Sequence, residues 1–289
     1  MFLSPRPHFS VPLPDGRTLE LGRRTLVMAI VNVTPDSFSD GGARLDPDIA
    51  VSDALRFVAD GADLLDIGGE STRPGAPPVE ADEEWRRIAP VLEGLRGRVS
   101  VPVSVDTSKA SVAERALALG ATIVNDVSGL SREPALAGVV ARARAAVVLM
   151  HSRGTSSDMY SAATYTRAID DVRAELAGCD RVARDAGIAP ERIILDPGLG
   201  FAKRARHTWA VLAGMPALAS LGRPLLSGPS RKSFLEAAIG DRPPRGRVFA
   251  TAAAVTASVL FGAHIVRVHD VAEMVDVVRA ADQLMAAAE

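Results

Sequence analysis

The sequence predicts a (β/α)8 barrel, and three observations carry that expectation. Eight short runs of β-branched and aliphatic residues recur along the 289-residue chain, in the manner of strands buried on both faces. Stretches with helical periodicity separate most of them, so strand and helix alternate. Each run also delivers a polar or charged residue at or just beyond its C-terminal end, the face on which such barrels build their sites.

Taken in order, the elements begin with a predicted hairpin. Phe9–Leu13 and Thr18–Leu21 flank the turn pair Asp15-Gly16, and this extension over residues 1–25 is expected to cover the barrel floor. Residues 26–289 then form one barrel domain. Its first run, TLVMAIV, exits at Asn32, and the second, DLLDI, carries Asp66. VPVSV leads to Asp106, ATIV to Asn125, AVVLM to His151 and RIIL to Asp196. PLLSG runs into Ser230, Arg231 and Lys232, and HIV into Arg267 and His269. Helices are predicted over Pro47–Asp60, Ala81–Gly94, Lys109–Leu119 and Thr164–Ala186. Two irregular stretches rich in Gly, Pro, Ser and Asp, Thr34–Asp46 and Gly68–Val79, read as long mobile loops over the mouth, and another irregular segment, Ser152–Ala163, follows the fifth strand.

Composition narrows the function classes. Hydrophobic residues make up 47% of the chain, enough for a large core, and a net charge of −2 offers no general attraction for nucleic acid or membrane. Aromatics at 4% argue further against a base-stacking surface. No apolar run reaches the ~20 residues of a membrane span. The first residues, MFLSPRPHFSVPLPDG, lack the apolar core of a signal peptide, and the single Cys179 fits a reducing compartment. A cytoplasmic globule is expected.

Several segments carry a closer resemblance. Asn32-Val-Thr-Pro-Asp-Ser-Phe-Ser-Asp-Gly-Gly42, Asp66-Ile-Gly-Gly-Glu-Ser-Thr-Arg-Pro-Gly75, Ser104-Val-Asp-Thr107 and Val124-Asn-Asp-Val127 are similar to dihydropteroate synthases. So are Leu149-Met-His151, Leu195-Asp-Pro-Gly-Leu-Gly-Phe201, Ser230-Arg-Lys-Ser-Phe234 and Arg267-Val-His-Asp270. The segments fall in register from the first strand to the last. The resemblance implies a folate-pathway transferase that condenses 6-hydroxymethyl-7,8-dihydropterin pyrophosphate with p-aminobenzoate, giving 7,8-dihydropteroate and pyrophosphate. It also implies a sulfonamide target and a homodimer.

The residue types suit that chemistry. A pterin presents an edge of alternating donors and acceptors, which carboxylates and an amide can match. Asp106, Asn125 and Asp196 supply that set, and the resemblance implies the same use. Lys232 can donate to the ring's carbonyl or N5 side, while Met150 and Phe201 offer apolar contact. Asp106 alone would equally suit a helix N-cap, and Asp126 is expected to be a cap or turn residue. A pyrophosphate needs cations and donors: Arg267, His269, Arg73 and Thr72 are the candidates. Asn32 is the expected ligand of a bridging Mg²⁺, with Asp40 joining it when the first loop closes. Considered singly, Arg267 could pair with Asp270 or Glu273, and His269 could cap a helix. His151 suits a core position as well as a site, and His264, at the start of its strand, reads as structural.

The second substrate's carboxylate is expected at the start of the helix after the seventh strand, at Ser233, with Pro35, Phe38, Thr72 and Pro74 walling the pocket. An aromatic amine is neutral at pH 7, so no general base is needed, and an SN1-like departure of pyrophosphate is expected, with Asp106, Lys232, Arg267 and Asn32 as the catalytic set. The chain departs from the family pattern at Pro229, at Ala202 (commonly glycine) and at Ser152-Arg153, none of which removes a catalytic group. A corrinoid-linked methyltransferase would lack the anion-binding residues, a non-catalytic pterin carrier would not need both loops, and a sugar-phosphate barrel would want a Schiff-base lysine or a Glu/His pair. The apolar stretch Val248–Phe261, with Phe249, could serve dimerisation or core packing.

Overall fold

The computed structural model describes residues 6–34, 46–73, 75–155 and 160–288. Two strands, β1 (Phe9–Pro12) and β2 (Thr18–Leu21), pair antiparallel as the expected hairpin. Eight parallel strands follow: β3 (Leu26–Asn32), β4 (Leu64–Gly68), β5 (Val103–Asp106), β6 (Ile123–Asp126), β7 (Ala146–Met150), β8 (Ile193–Asp196), β9 (Leu226–Ser227) and β10 (Ile265–Val268). They neighbour one another in the order 8-7-6-5-4-3-10-9, and a bridge between Leu195 and Leu225 brings β8 against the approach to β9. The barrel is therefore nearly closed. Its weakest seam is β9, where the predicted PLLSG run yields only two strand residues.

Side-chain alternation explains the layering. Leu26 and Met28 point into the barrel, with Leu64, Ile123, Ala146, Val148, Ile194, Leu226 and Ile265. Val11, Leu13, Leu19 and Leu21 of the hairpin pack into this same cluster, so the floor is plugged as the sequence suggested. Val27, Ala29, Val31, Leu65 and Ile67 point the other way, into the core shared with the surrounding helices. These include α1 (Pro47–Ala59), α2 (Ala81–Leu95), α3 (Ala110–Ala118), α4 (Ala135–Ala143), α5 (Ala168–Asp185) and α6 (Ala205–Gly214). The short α7 (Glu236–Ile239), α8 (Val248–Leu260) and α9 (Val271–Ala286) complete the described ring.

Two boundaries differ from expectation. The helix predicted from Thr164 starts at Ala168, because Thr166 donates its N–H to the Asp171 side chain at 2.9 Å and remains outside the first turn. The helix predicted at Ser230–Ser233 is a 3₁₀ turn, Ser233–Leu235, running into the single turn of α7. Within α8 the inner face is buried, but Phe249 is 87% exposed, so this stretch serves both packing and surface.

Candidate active site at the barrel mouth

Parallel register sets the polar strand ends level with one another. Gly68 lies opposite Asp106, Asp106 opposite Asn125, and Met150 opposite Asp196. A Cβ on Gly68 would come within 3.3 Å of the Asp106 Cβ, so glycine there keeps the carboxylate free to face inward. At the centre is Arg267 on β10. Its Nε donates to Asp66 Oδ2 at 2.6 Å and an Nη to Asp106 Oδ2 at 2.7 Å. Asn125 Nδ2 donates to the same Asp66 oxygen at 2.9 Å, while Asp66 Oδ1 is buried without a donor among the described residues.

Asp196 orients through its own turn: Gly198 N–H donates to Asp196 Oδ1 at 2.7 Å. Lys232 crosses toward that turn, donating to Leu199 O at 2.5 Å with its Nζ 4.4 Å from the centre of the Phe201 ring. Three buried carboxylates, Asp66, Asp106 and Asp196, thus share two cations, Arg267 and Lys232. The imbalance registers in their acidities. Burial pushes Asp106 up to about 7 against the attraction of Arg267, with Asp66 adding repulsion, and burial likewise raises Asp196. Burial lowers Lys232 to about 8, opposed by Asp196. Burial opposes the Arg267 charge, but Asp66 and Asp106 overcome it and raise its pKa.

Above this floor opens a cavity of about 520 Å³. Asn32, Thr72, Arg73, Asp106, Phe201, Lys232, Ser233, Arg267 and His269, all singled out in the sequence, line it. Asn125, Asp196 and Met150 are buried at the neighbouring strand ends and are not among its lining residues. Pro35, Phe38, Asp40 and Pro74 lie outside the described residues. His269 Nδ1 and Ser230 Oγ are 3.0 Å apart, and burial together with Arg231, Arg267, Arg73 and Lys232 lowers its pKa to about 3, so it enters the site neutral.

Several alternatives are decided by geometry. Asp106 is no cap, since α3 begins beyond Lys109 and Thr107 Oγ1 accepts the Lys109 N–H. Arg267 does not pair with Asp270, which is taken by Arg231. His269 does not cap α9, whose N-cap is Asp270. Asp126 is the expected turn residue, accepting from Ser128 and Leu130 N–H groups. His264 is structural, bridging Leu225 N–H and Pro7 O. His151 is buried between Glu175 and Lys203 and belongs to the supporting layer. Ala202 carries a positive φ of 49°, which explains why glycine is usual at that position; an alanine there costs about 1 kcal/mol.

Sequence reasoning named Asp66 without giving it a role and passed over Lys203, Tyr160 and Arg247. Asp66 had a visible signal, an acid inside a leucine-rich run. Tyr160 and Arg247 line the cavity from segments without a pattern that places them there. Among the described residues no group of three His, Cys, Asp or Glu side chains gathers to hold a metal.

Comparison with known proteins identifies the family and the fold. Residues 28–269 match the family described as pterin binding enzyme. A dihydropteroate synthase of Synechocystis is 45% identical over 278 residues, 96% of both chains. The solved dihydropteroate synthase of Xanthomonas albilineans with 4-aminobenzoic acid superposes with a TM-score of 0.88 at 44% identity, covering 96% of this chain and 99% of that one. The Yersinia pestis enzyme in a sulfonamide drug complex gives a TM-score of 0.90 at 39% identity, covering 97% and 100%. The chain belongs to the pterin binding enzymes, within their transferase family of dihydropteroate synthases.

Proposed function

We propose that the mouth performs the dihydropteroate synthase reaction by dissociative substitution, with the floor binding the pterin and the rim the pyrophosphate. The observation carrying this reading is the excess of buried carboxylate over cation beneath the cavity. Asp106, Asn125 and Asp196 meet the N–H and carbonyl groups of the pterin edge, and the free Asp66 oxygen holds the field negative. When the C–O bond breaks, the electron pair leaves with pyrophosphate and the pterin methylene becomes a delocalised cation. That cation is what an electron-rich floor favours. The neutral amine of p-aminobenzoate then attacks the methylene carbon and loses its proton to solvent.

Rim cations fit the leaving group. Arg73 and Arg267, with Thr72, Ser230 and neutral His269 as hydrogen-bonding partners, face one cavity. Ser233 and the far wall at Pro244 and Arg247 receive the benzoate, where a sulfonamide would compete. Mg²⁺ suits the oxygen donor this rim offers: the Asn32 amide oxygen would hold it, with phosphate oxygens and water filling its shell, and Asp40, outside the described residues, is the proposed second protein ligand. Bound there, the ion would neutralise charge on the departing pyrophosphate. The exposed Phe249 on α8 supports assembly as a homodimer; light scattering should give twice the chain mass, falling to one chain mass in Phe249→Asp. A cytoplasmic setting, where the single Cys179 stays reduced, completes the reading. The test is pyrophosphate release, expected only with pterin pyrophosphate and p-aminobenzoate together. Release that ignores p-aminobenzoate would reduce the activity to hydrolysis.

A further inference from the structure

Beneath the mouth, Lys203 is only 1% exposed and plays no part in the chemistry above. Its Nζ donates to Gly198 O at 2.9 Å, to Phe201 O at 3.0 Å and to His151 Nδ1 at 2.8 Å. A fourth acceptor, His151 O, lies 3.5 Å away, and burial lowers the amine's pKa well below the ordinary lysine value, opposed by Asp196. With Nδ1 accepting, the His151 proton sits on Nε2 and is donated to Glu175 Oε2 at 3.0 Å, while Arg153 closes the far side of Glu175. Burial and the Lys203 charge lower His151 to about 4, in keeping with a neutral acceptor. Direction therefore passes from an ion pair near the surface to one buried amine.

What that amine holds is the turn of the pterin floor. Gly198 N–H fixes Asp196, Leu199 O accepts from Lys232, and the Phe201 ring lies against the Lys232 ammonium. The turn is not one the backbone adopts freely: Gly198, Gly200 and Ala202 all have positive φ. It is also pressed closely on the strand end, since a Cβ on Gly198 would lie 2.0 Å from His151 O. A strained turn released from its anchor relaxes, and three groups facing the pterin would move with it.

We propose that Lys203, aimed by His151, is a positioning residue for the pterin, locking residues 198–201 so that Asp196, Phe201 and Lys232 stay in register. The inference rests on the pterin reading of the mouth. Lys203→Met keeps the volume and removes the donors. It should weaken binding of the bare hydroxymethylpterin by about tenfold to a hundredfold, the scale of a small misplacement in a preorganised site. Binding of inorganic pyrophosphate, which meets the opposite rim, should stay within about twofold. Leu136→Ala, a core cavity on α4, serves as the control for general destabilisation and should move neither constant. If Lys203→Met does not fold, Lys203→Gln retains two N–H donors and should show the same split at about threefold or more. Unchanged pterin affinity in a folded variant, or equal losses for pterin and pyrophosphate, overturns the proposal. Failure of the parent protein to bind the pterin would instead remove the underlying site reading.

Discussion

Two arginines at opposite ends of this barrel do opposite things. At the floor, Arg6 donates to Ala263 O, to the Thr25 hydroxyl and to Asp282, while Asp282 also accepts from Thr25 N–H and Oγ1. One cation meets one carboxylate, and the remaining polar atoms are shared out among neutral groups. At the mouth, Arg267 is divided between Asp66 and Asp106, and Asp66 Oδ1 finds no donor among the described residues. Satisfied polar networks stabilise, whereas deficient ones wait for a ligand. The contrast locates the site by what its residues lack.

The comparison breaks most sharply at Asp106. Asp106→Asn keeps the shape but removes charge where the pterin cation develops, so kcat should fall about 10²–10³-fold with little change in melting. Near-parent turnover would sink the role given to this carboxylate. Arg267→Ala comes next, and the structure enlarges its expected effect. Beyond weaker binding of the pyrophosphorylated pterin, two buried carboxylates lose their cation, a loss on the scale of about 3–5 kcal/mol for breaking a buried pair. Calorimetry should show bare pterin binding weakened as well; intact binding of the bare ring would confine Arg267 to the anion.

At the other end, Arg6→Met should lower stability by about 3 kcal/mol while leaving KM for both substrates unchanged. A shift in KM would mean that floor and mouth are not independent. The smallest effects are in pH. Asp106 must lose its proton through about 7 and Lys232 must keep its own up to about 8, so kcat/KM should form a narrow bell with its maximum between them. Stability carries the same signature. With its folded pKa raised from 3.8 to about 7, Asp106 holds a proton that the unfolded chain has released. Stability therefore declines as pH rises between those values, and Asp106→Asn should lack that decline. Parallel pH–stability curves for the two proteins would contradict the raised acidity.

The barrel and its exits were legible because a parallel sheet writes itself as apolar runs, and a strand end must place its next side chain at the mouth. That rule singles out Asp106, Asn125, Asp196, Arg267 and His269, and the convergence of several such groups on one mouth, with the family resemblance, is what outweighs the cap and salt-bridge readings each would have alone. Asp66 was harder, since its position inside β4 gives it the look of an intruder in a core strand, and only the partner on β10 explains it. Lys203 follows a glycine-rich turn with no periodicity, so its burial depends on how that turn folds back on His151. Strand β9 shortened because its PLLSG run is paired by Ile265 and Val266 on one side and reaches β8 through a bridge at Leu225. Pattern gives periodicity, and pairing partners decide where it stops.

The floor plug also sets a timetable for folding. Pro7 O meets His264, and Arg6 meets Ala263 and Asp282, contacts separated by 257 to 276 residues of chain. Loop closure over such spans is entropically costly and must precede any gain from the contact. On a ribosome, residues 9–21 emerge well before the strand and helix that anchor their far side. Until then the inner face of β3 remains open below, with Leu26 and Met28 exposed to whatever they meet. The hairpin is thus made long before its partners and is among the last elements to dock, and the nascent barrel's aggregation risk is concentrated at its floor.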